Sequence, residues 1–334
     1  MSDHPLINTQ PISTKKSIKV TMALPLKVLF FFNLALVFSF HFIAFTASSR
    51  SASAPVGATE AEALLLPKAS LDKESQFTLS SWVGSRPCTW AAIRCCSFGS
   101  ITHLNLSSSG LQGPLEGLNF SLFPNLTHID LSSNSLNGSI PPQIGHLPKL
   151  IYLNFSSNYL HGSFPQEIGF LRSVSELDMS YNNFTGLMPA SIRNLVNLSL
   201  LYFHNNKFSV SIGNLVNLTV LYLHTNRLSG FIPQEIGLLR SLSSLKLFYN
   251  NFTGSIQASI GNLINLSVLY FNNNKLSGTI PQEIGLLRSL LTLNCPIPAS
   301  IGNLINLSVL YLNNNELSSF ILDEIGLLSS LLDL

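Results

Sequence analysis

The sequence predicts an α/β solenoid in which stacked coils present a parallel β-sheet on a concave face, with a helical cap at the N-terminus. A unit of 24 residues recurs along most of the chain, and residues 266–289 give one copy, LSVLYFNNNKLSGTIPQEIGLLRS. One such unit cannot bury its own apolar side, so neighbouring units must stack. An asparagine marks one position of the unit, recurring as Asn134, Asn158, Asn182, Asn206, Asn226, Asn250, Asn274 and Asn315.

Each residue type in this unit has a structural reason. Leu269 and Phe271 alternate with Tyr270, which predicts a short strand with Tyr270 on its outer face. The amide of Asn274 can pair with backbone groups of its own and adjacent coils that would otherwise be buried unpaired. Gly278 suits a backbone position with positive φ or a close approach of the next coil. The positions that return the apolar face to the core are Ile280, Ile284, Leu287 and Leu290.

The pattern L-x-x-L-x-L-x-x-N-x-L, followed by G-x-I-P, resembles the leucine-rich repeat in its plant extracellular form. This resemblance implies a right-handed superhelix, with the strands lining its concave face. We count ten coils in residues 101–334. Coils 2, 3, 4, 6, 7 and 8 are regular.

Residues 1–54 read as a targeting segment. An apolar block, residues 28–45, follows Lys27, and Ala52-Ser53-Ala54 fits a cleavage site, which predicts a secretory signal peptide. A signal-anchor helix is the alternative, because 18 apolar residues reach the lower limit of a membrane span. Met22 is a second candidate start, in which case residues 1–21 are not native. We expect an extracellular, cell-wall or plasma-membrane location, with membrane contact only through this segment if it is uncleaved.

Residues 55–100 are predicted to cap the first coil. Residues 60–66 and 68–79 are expected to form one or two short helices, broken at Pro67, which cannot donate within a helix. The segment WVGSRPCTWAAIRCCS at 82–97 resembles the N-terminal cap of plant leucine-rich-repeat receptor kinases, although Pro67 and Ala92 depart from that pattern. The resemblance implies a Cys88–Cys95 disulfide. Cys96 could compete for this bridge, and Cys295 is predicted to be a buried free thiol on an inward strand position.

Two coils are shorter than the others. Coil 5 lacks the G-x-I-P part between Asn206 and Ile212, and coil 9 passes from Leu293 directly to Pro296 without its asparagine. We expect a distorted or tightened turn at both places, and the continuous solenoid to end with residues 266–289. No capping coil precedes Leu334, so we expect either a fragment of a longer protein or a partner that covers this end.

The outward strand positions are expected to form two columns along the concave face, because side chains alternate along a strand. The first column is Asp130, Asn154, Asp178, Tyr202, Tyr222, Lys246, Tyr270, Asn294 and Tyr311, and the second is Ser132, Ser156, Ser180, His204, His224, Phe248, Asn272 and Asn313. Aromatic anchors among polar groups suit a binding surface. The alternative is that these tyrosines only pack along the strands. The predicted ligand-binding residues are Tyr202, His204, Tyr222, His224, Lys246, Phe248, Tyr249, Tyr270 and Tyr311.

Composition and motifs argue against several function classes. The chain is 46% hydrophobic and 10% charged, with a net charge of +2, which gives no electrostatic case for binding nucleic acid or an anionic membrane. It contains no Gly-rich phosphate loop, kinase signature or nucleophile elbow. His204 and His224 lack further metal ligands. We therefore predict no catalytic residue, no cofactor and no metal.

Eleven N-x-S/T sequons support a glycosylated extracellular protein. Several arise because L-x-N-L-S is part of the repeat. Glycans on Asn105 and Asn154 would lie on the concave face and restrict binding to later coils. The predicted glycosylation sites are Asn105, Asn119, Asn125, Asn137, Asn154, Asn183, Asn197, Asn217, Asn251, Asn265 and Asn306.

The family resemblance implies an ectodomain of a receptor-like kinase, without its kinase half. Such a domain is expected to bind a peptide or protein ligand, and a co-receptor kinase, in signalling or defence. One alternative is a secreted inhibitor of cell-wall-degrading enzymes, which shares the cap and the repeat type. Another is a nonfunctional product, suggested by coils 5 and 9.

Overall fold

The computed structural model describes residues 56–209, 217–278, 280–294, 302–311, 328–330 and 332. These residues belong to one unit that spans residues 54–334. The N-terminal segment, the turns of coils 5 and 9, Cys295 and Asn313 lie outside the described residues. Within the described part of the chain, no helix is both long and apolar enough to cross a membrane.

The cap contains two helices, α1 (Val56–Ser70) and α2 (Lys73–Thr78), a 3-10 helix (Pro87–Thr89) and strand β1 (Ile93–Cys95). The predicted break at Pro67 is wrong, because α1 runs through it. Proline costs the helix one backbone hydrogen bond, and nearby contacts offset this loss. Just after it, the Lys68 ammonium donates to the carbonyls of Leu79 and Trp82, at 2.7 and 3.0 Å.

The cap is fastened to the first coil by hydrogen bonds and packing. Glu60 is fully buried, and its carboxylate accepts hydrogen bonds from the Ser100 hydroxyl (2.6 Å) and the Ile101 N–H (2.9 Å). Burial raises the pKa of Glu60, whereas these two bonds act in the opposite direction. The rings of Trp82 and Trp90 stack 5.4 Å apart. The apolar edge of coil 1 is therefore covered, as a terminal repeat requires.

The main sheet takes one parallel strand from each coil, and β1 pairs antiparallel at its cap end. On the core side of this sheet, the side chains of Ile129, Leu153, Leu177 and Leu201, each at the centre of its strand, are fully buried. Among the described residues this sheet has eleven strands. After β1 they are β2 (Ile101–Asn105), β4 (His128–Asp130), β6 (Tyr152–Asn154), β8 (Glu176–Asp178), β10 (Leu200–Tyr202), β12 (Val220–Tyr222), β14 (Ser244–Lys246), β16 (Val268–Tyr270), β18 (Thr292–Asn294) and β19 (Val309–Tyr311).

Outer strands follow the recurring asparagine in most coils, which the sequence did not predict. They form two separate parallel sheets in the described part of the chain. The first contains β3 (Gln112–Pro114), β5 (Ser135–Gly138), β7 (Tyr159–Ser163), β9 (Asn183–Gly186) and β11 (Lys207–Phe208), and the second contains β13 (Ser229–Phe231), β15 (Asn251–Gly254) and β17 (Lys275–Leu276).

A 3-10 helix completes each regular coil on the convex side. Proline precedes most of these helices with φ between −63° and −69°, the value its ring imposes. Each five-residue helix buries an isoleucine in the core. The described 3-10 helices of the convex side are Phe120–Leu122, which has three residues, and six helices of five residues each: Pro142–His146, Gln166–Phe170, Ala190–Asn194, Gln234–Leu238, Ala258–Asn262 and Gln282–Leu286.

The predicted role of the recurring asparagine is confirmed. The Asn274 amide donates to the carbonyls of Leu247 (3.0 Å), in the preceding coil, and Phe271 (2.9 Å), in its own coil. Its Oδ1 accepts from the Phe252 N–H at 3.1 Å. Gly278 has a φ of +79°, as predicted. Ile280, Ile284, Leu287 and Leu290 are all buried.

The shortened coils do not interrupt the main sheet. Leu201 pairs with Leu221 across coil 5, and Leu293 pairs with Leu310 across coil 9. The expectation that the continuous solenoid ends at residues 266–289 is therefore wrong, because strand pairing needs only three residues of each coil and the deletions lie elsewhere. The predicted distortion of the two turns lies outside the described residues and stays a prediction.

Candidate functional site

The strand register aligns the first predicted column of the concave face. Asp130, Asn154, Asp178 and Tyr202 are Cα partners on successive strands. Tyr222, Lys246, Tyr270, Asn294 and Tyr311 continue it in the same register. The side chains of Asn294 and Tyr311 lie outside the description. The geometry of this column is confirmed, whereas its role in binding stays a prediction.

The later coils place seven half-buried side chains and one exposed side chain together, which we call the aromatic surface. Tyr202 and Tyr222 lie 5.2 Å apart between ring centroids, and Lys246 Nζ lies 4.3 Å from the centroid of Tyr222. This ammonium also lies 5.6 Å from the ring of Tyr270. The members of the aromatic surface are Tyr202, His204, Tyr222, His224, Lys246, Phe248, Tyr249 and Tyr270.

The second column forms a stack within this surface. The ring centroids of His204 and His224 are 4.4 Å apart, and those of His224 and Phe248 are 4.2 Å apart with planes within 8°. The ring of Phe248 also lies 5.9 Å from that of Tyr270. Tyr249 belongs to the turn after this strand, with a φ of +51°, and is 55% exposed. The predicted aromatic residues described here therefore form one connected set of ring contacts.

Burial changes the protonation of the two stacked histidines. Burial, followed by the positive charge of Lys246, lowers the pKa of His204 to about 4. The pKa of His224 falls to about 3 through burial, followed by the effects of His204 and Lys246. Both imidazoles are therefore neutral at pH 7. Lys246 supplies the positive charge of the aromatic surface.

Two buried polar atoms at the ends of this stack have no hydrogen-bond partner among the described residues. They are Nδ1 of His204 and Oδ1 of Asn272, which precede and follow His224 and Phe248 in the second column. A buried polar group without a partner costs about 1–3 kcal/mol. The second column thus carries unsatisfied hydrogen-bonding capacity next to its half-buried rings.

An acidic group adjoins the aromatic surface on the cap side. Burial raises the pKa of Glu176, and the charges of Asp178 and Asp130 raise it further. Burial also raises the pKa of Asp178, against the hydrogen bonds from Ser180. In the described coils, the concave face therefore carries carboxylates on the cap side and aromatic rings further along. Lys246 places one ammonium group among these rings.

Sequence reasoning missed a cleft between the cap and the first coils, because it considered only two of the three outward columns. His103 and His128 are Cα partners, and their rings stack 4.3 Å apart. With Arg94, Asp130 and Tyr152 they line a cleft of about 650 Å³. Burial lowers the pKa of His103, and the nearby His128 and Arg94 lower it further. The signal in the sequence is the histidine two residues before Asn105 and again two residues before Asp130.

Comparisons with known proteins agree with this architecture. Residues 58–96 match the leucine rich repeat N-terminal domain, and residues 116–259 match the leucine-rich repeat region. Residues 265–287 and 306–328 match further single leucine-rich repeats. The chain belongs to the leucine-rich-repeat family. Its combination of cap and repeats is that of plant receptor-like-kinase ectodomains.

This leucine-rich-repeat chain is similar to curated and structurally solved plant proteins. A probable leucine-rich repeat receptor-like protein kinase of Arabidopsis thaliana is 40% identical over 117 residues, which are 33% of this chain and 10% of that protein. The MDIS1-interacting receptor like kinase 2 of the same plant is 41% identical over 102 residues, 28% of this chain and 10% of the relative. The chain thus aligns with about a tenth of the length of these curated relatives.

Among solved structures, the peptide hormone receptor RGFR1, in complex with RGF2, is 34% identical with a TM-score of 0.61, covering 63% of this chain and 36% of the receptor. The Arabidopsis receptor kinase HAESA, in complex with the peptide hormone IDA and the co-receptor SERK1, is 29% identical with a TM-score of 0.58, covering 77% of this chain and 54% of HAESA. Both are plant receptors with a peptide hormone bound.

The cap contains the Cys88–Cys95 disulfide, and Cys96 is a free cysteine. Because Cys88 and Cys95 are bonded to each other, neither of them is paired with Cys96. Among the described residues, no group of three or more histidine, cysteine, aspartate or glutamate side chains could hold a metal ion.

Proposed function

We propose that this chain is an extracellular recognition module that binds a peptide or protein partner on its concave face. The connected aromatic surface carries this proposal, because it gathers the aromatic anchors that dominate binding energy in protein interfaces. The neutral imidazoles of His204 and His224 add to the area of the aromatic surface without adding charge. Rigid aromatic side chains on a sheet lose little conformational entropy when a partner binds.

The similarity to plant receptors supports the finer proposal that the chain serves as the ectodomain of a receptor-like kinase. In that setting a co-receptor kinase is a second partner, and signalling or defence is the process. We propose binding rather than catalysis, because the matches to the kinases cover only their ectodomains.

A peptide-selection experiment tests the aromatic surface. The purified full chain selects binders from a phage-displayed library of random linear peptides, and the affinities of the selected peptides are measured by calorimetry. Phe248→Ala is expected to weaken them about 10-fold or more, because a central aromatic anchor contributes about 2 kcal/mol. Phe170→Ala is the matched control, since Phe170 is 60% exposed on the convex side. Equal binding to both variants would exclude the aromatic surface as the site.

A further inference from the structure

Five of the eleven sequons lie in one column on a flank of the solenoid. They share the repeat sequence N-L-S or N-L-T, and their asparagines occupy the same position of the repeat in five different coils. We call these asparagines and the hydroxyl residues two positions later the flank ladder. The asparagines are Asn125, Asn197, Asn217, Asn265 and Asn306, and the hydroxyl residues are Thr127, Ser199, Thr219, Ser267 and Ser308.

The amide nitrogens of the flank ladder bond to the preceding coil. Asn197 Nδ2 donates to the carbonyl of Arg172 at 2.8 Å, and Asn265 Nδ2 donates to that of Arg240 at 3.0 Å. Asn306, Asn217 and Asn125 likewise donate to the coil before them. Nδ2 is the atom to which an N-linked glycan attaches. Attachment replaces one of its two hydrogens and places a bulky group beside the preceding coil.

The hydroxyl groups of the flank ladder are also engaged. Ser199 donates to the carbonyl of Ser175 at 3.0 Å, and Ser267 donates to that of Ser243 at 2.9 Å. Thr127, Thr219 and Ser308 make the same bond, at 2.9–3.0 Å. Both side chains that define the sequon therefore join consecutive coils.

A coil without a sequon shows that inter-coil hydrogen bonds are enough to account for the residue types at these two positions. Ser173 takes the place of the asparagine and donates to the carbonyl of Pro148 at 2.9 Å. Ser175, two positions later, donates to the carbonyl of Ile151 at 3.2 Å. Serine thus replaces asparagine without loss of the inter-coil bond. What the coils share at these positions is hydrogen bonding, not the modification signal.

Glycans on neighbouring members of the flank ladder would also crowd each other. Asn197 and Asn217 lie in adjacent coils, whose strands β10 and β12 pair directly. Paired strands are about 4.8 Å apart, which is too close for two branched oligosaccharides to leave the surface side by side.

Four other sequons have a different environment. In the part of the chain that the structure describes, the Nδ2 atoms of Asn105, Asn119, Asn137 and Asn251 make no hydrogen bond. These four side chains are exposed, as are those of Asn197, Asn217, Asn265 and Asn306, so the hydrogen bond of Nδ2, and not exposure, separates the two groups. Asn154 and Asn183 are half-buried and belong to neither group.

We propose that the five sequons of the flank ladder are structural and stay unglycosylated in the folded protein, and that Asn105, Asn119, Asn137 and Asn251 carry the glycans. The flank ladder then remains free of carbohydrate. In this proposal, a sequon carries a glycan only if its Nδ2 atom is not hydrogen-bonded to the preceding coil.

Glycopeptide mass spectrometry tests the modification. The full chain is produced in the secretory pathway of plant cells, and the occupancy of each sequon is measured. We expect carbohydrate on Asn105, Asn119, Asn137 and Asn251 and none on Asn197, Asn265 or Asn306. Carbohydrate on the latter three would overturn the proposal, and so would a chain that carries none on the former four.

Paired substitutions test the structural role separately. Ser267→Ala removes an inter-coil bond and is expected to lower Tm, whereas Thr253→Ala, in the Asn251 sequon, is expected to leave Tm unchanged in enzymatically deglycosylated protein. Asn265→Ser is expected to keep both Tm and glycoprotein mass, whereas Asn251→Ser loses the mass of one glycan. Equal effects of Ser267→Ala and Thr253→Ala on Tm would contradict the structural role.

Discussion

At the scale of single residues, the position before the recurring asparagine has an unusual backbone in every coil where the structure describes it from Asn134 to Asn274. Ser133, Ser157, Tyr181, Asn205, Thr225, Tyr249 and Asn273 all have φ between +51° and +55°. This left-handed region costs a non-glycine residue about 1–2 kcal/mol. The neighbouring asparagine offsets that cost by bonding backbone groups on both sides of the turn. The arrangement also turns Tyr249 outward at the edge of the aromatic surface.

The two stacked histidines make a prediction about acid stability. Their pKa values are about 4 and about 3 in the folded chain and 6.5 as the ordinary value, so the unfolded chain binds more protons below about pH 6.5. The stability that the neutral rings provide is therefore present above pH 6.5 and is lost as the pH falls towards 4.

A double variant checks this sign. His204→Gln/His224→Gln is expected to show a smaller drop in Tm between pH 7.5 and pH 5 than the wild-type chain. His161→Gln, which changes an exposed histidine, serves as the control and should keep the wild-type drop. An NMR titration of either stacked imidazole with a midpoint near 6.5 would contradict the lowered pKa values.

At the scale of one element, the glycine within most of the convex 3-10 helices allows the next coil to approach. A Cβ placed on Gly169 would lie 2.5 Å from the carbonyl oxygen of Ser191 and 2.6 Å from its Cβ. Real Cβ atoms do not come this close to backbone, so the coils would have to separate. The glycine is needed for close approach and not for a left-handed conformation.

Gly169→Ala is expected to destabilise the chain by about 1–3 kcal/mol, as overpacking usually does. Urea unfolding followed by circular dichroism measures the effect. Gln166→Ala, on the exposed side of the same helix, is the comparison and should change stability by less than about 0.5 kcal/mol. A similar midpoint for the two variants would show that the coils adjust without cost.

The same element shows what the sequence could and could not predict. The period of 24 residues was sufficient for the core positions, Asn274, Gly278 and the concave columns, because each follows from local chemistry repeated in every coil. The path of α1 through Pro67 depends on contacts of Lys68 with distant carbonyls, which no local rule contains. The cleft at His103 and His128 required knowing how the cap meets the first coil.

At the scale of the whole molecule, stability is shared between neighbouring coils, and the cap protects one end. Cys88→Ser/Cys95→Ser is expected to open the cap and then the coils next to it. Hydrogen exchange of the full chain, followed by mass spectrometry, should become faster in β2 and β4 and remain slow in β14 and β16. A uniform increase along the chain would indicate a single cooperative unit instead.

The divided outer sheet has a mechanical consequence. Among the described residues, strand pairing is continuous on the concave side from β2 to β19, whereas on the outer side the first sheet ends with β11 at Phe208 and the second begins with β13 at Ser229. In the described residues a backbone hydrogen bond from Arg227 to the carbonyl of Phe208, at 3.0 Å, crosses this gap. A rod bends most readily where one of its two sides is held by fewer hydrogen bonds. We expect the bending compliance of the solenoid to be greatest at the coils of Tyr202 and Tyr222, so that the curvature of the aromatic surface can change while its strand register is kept.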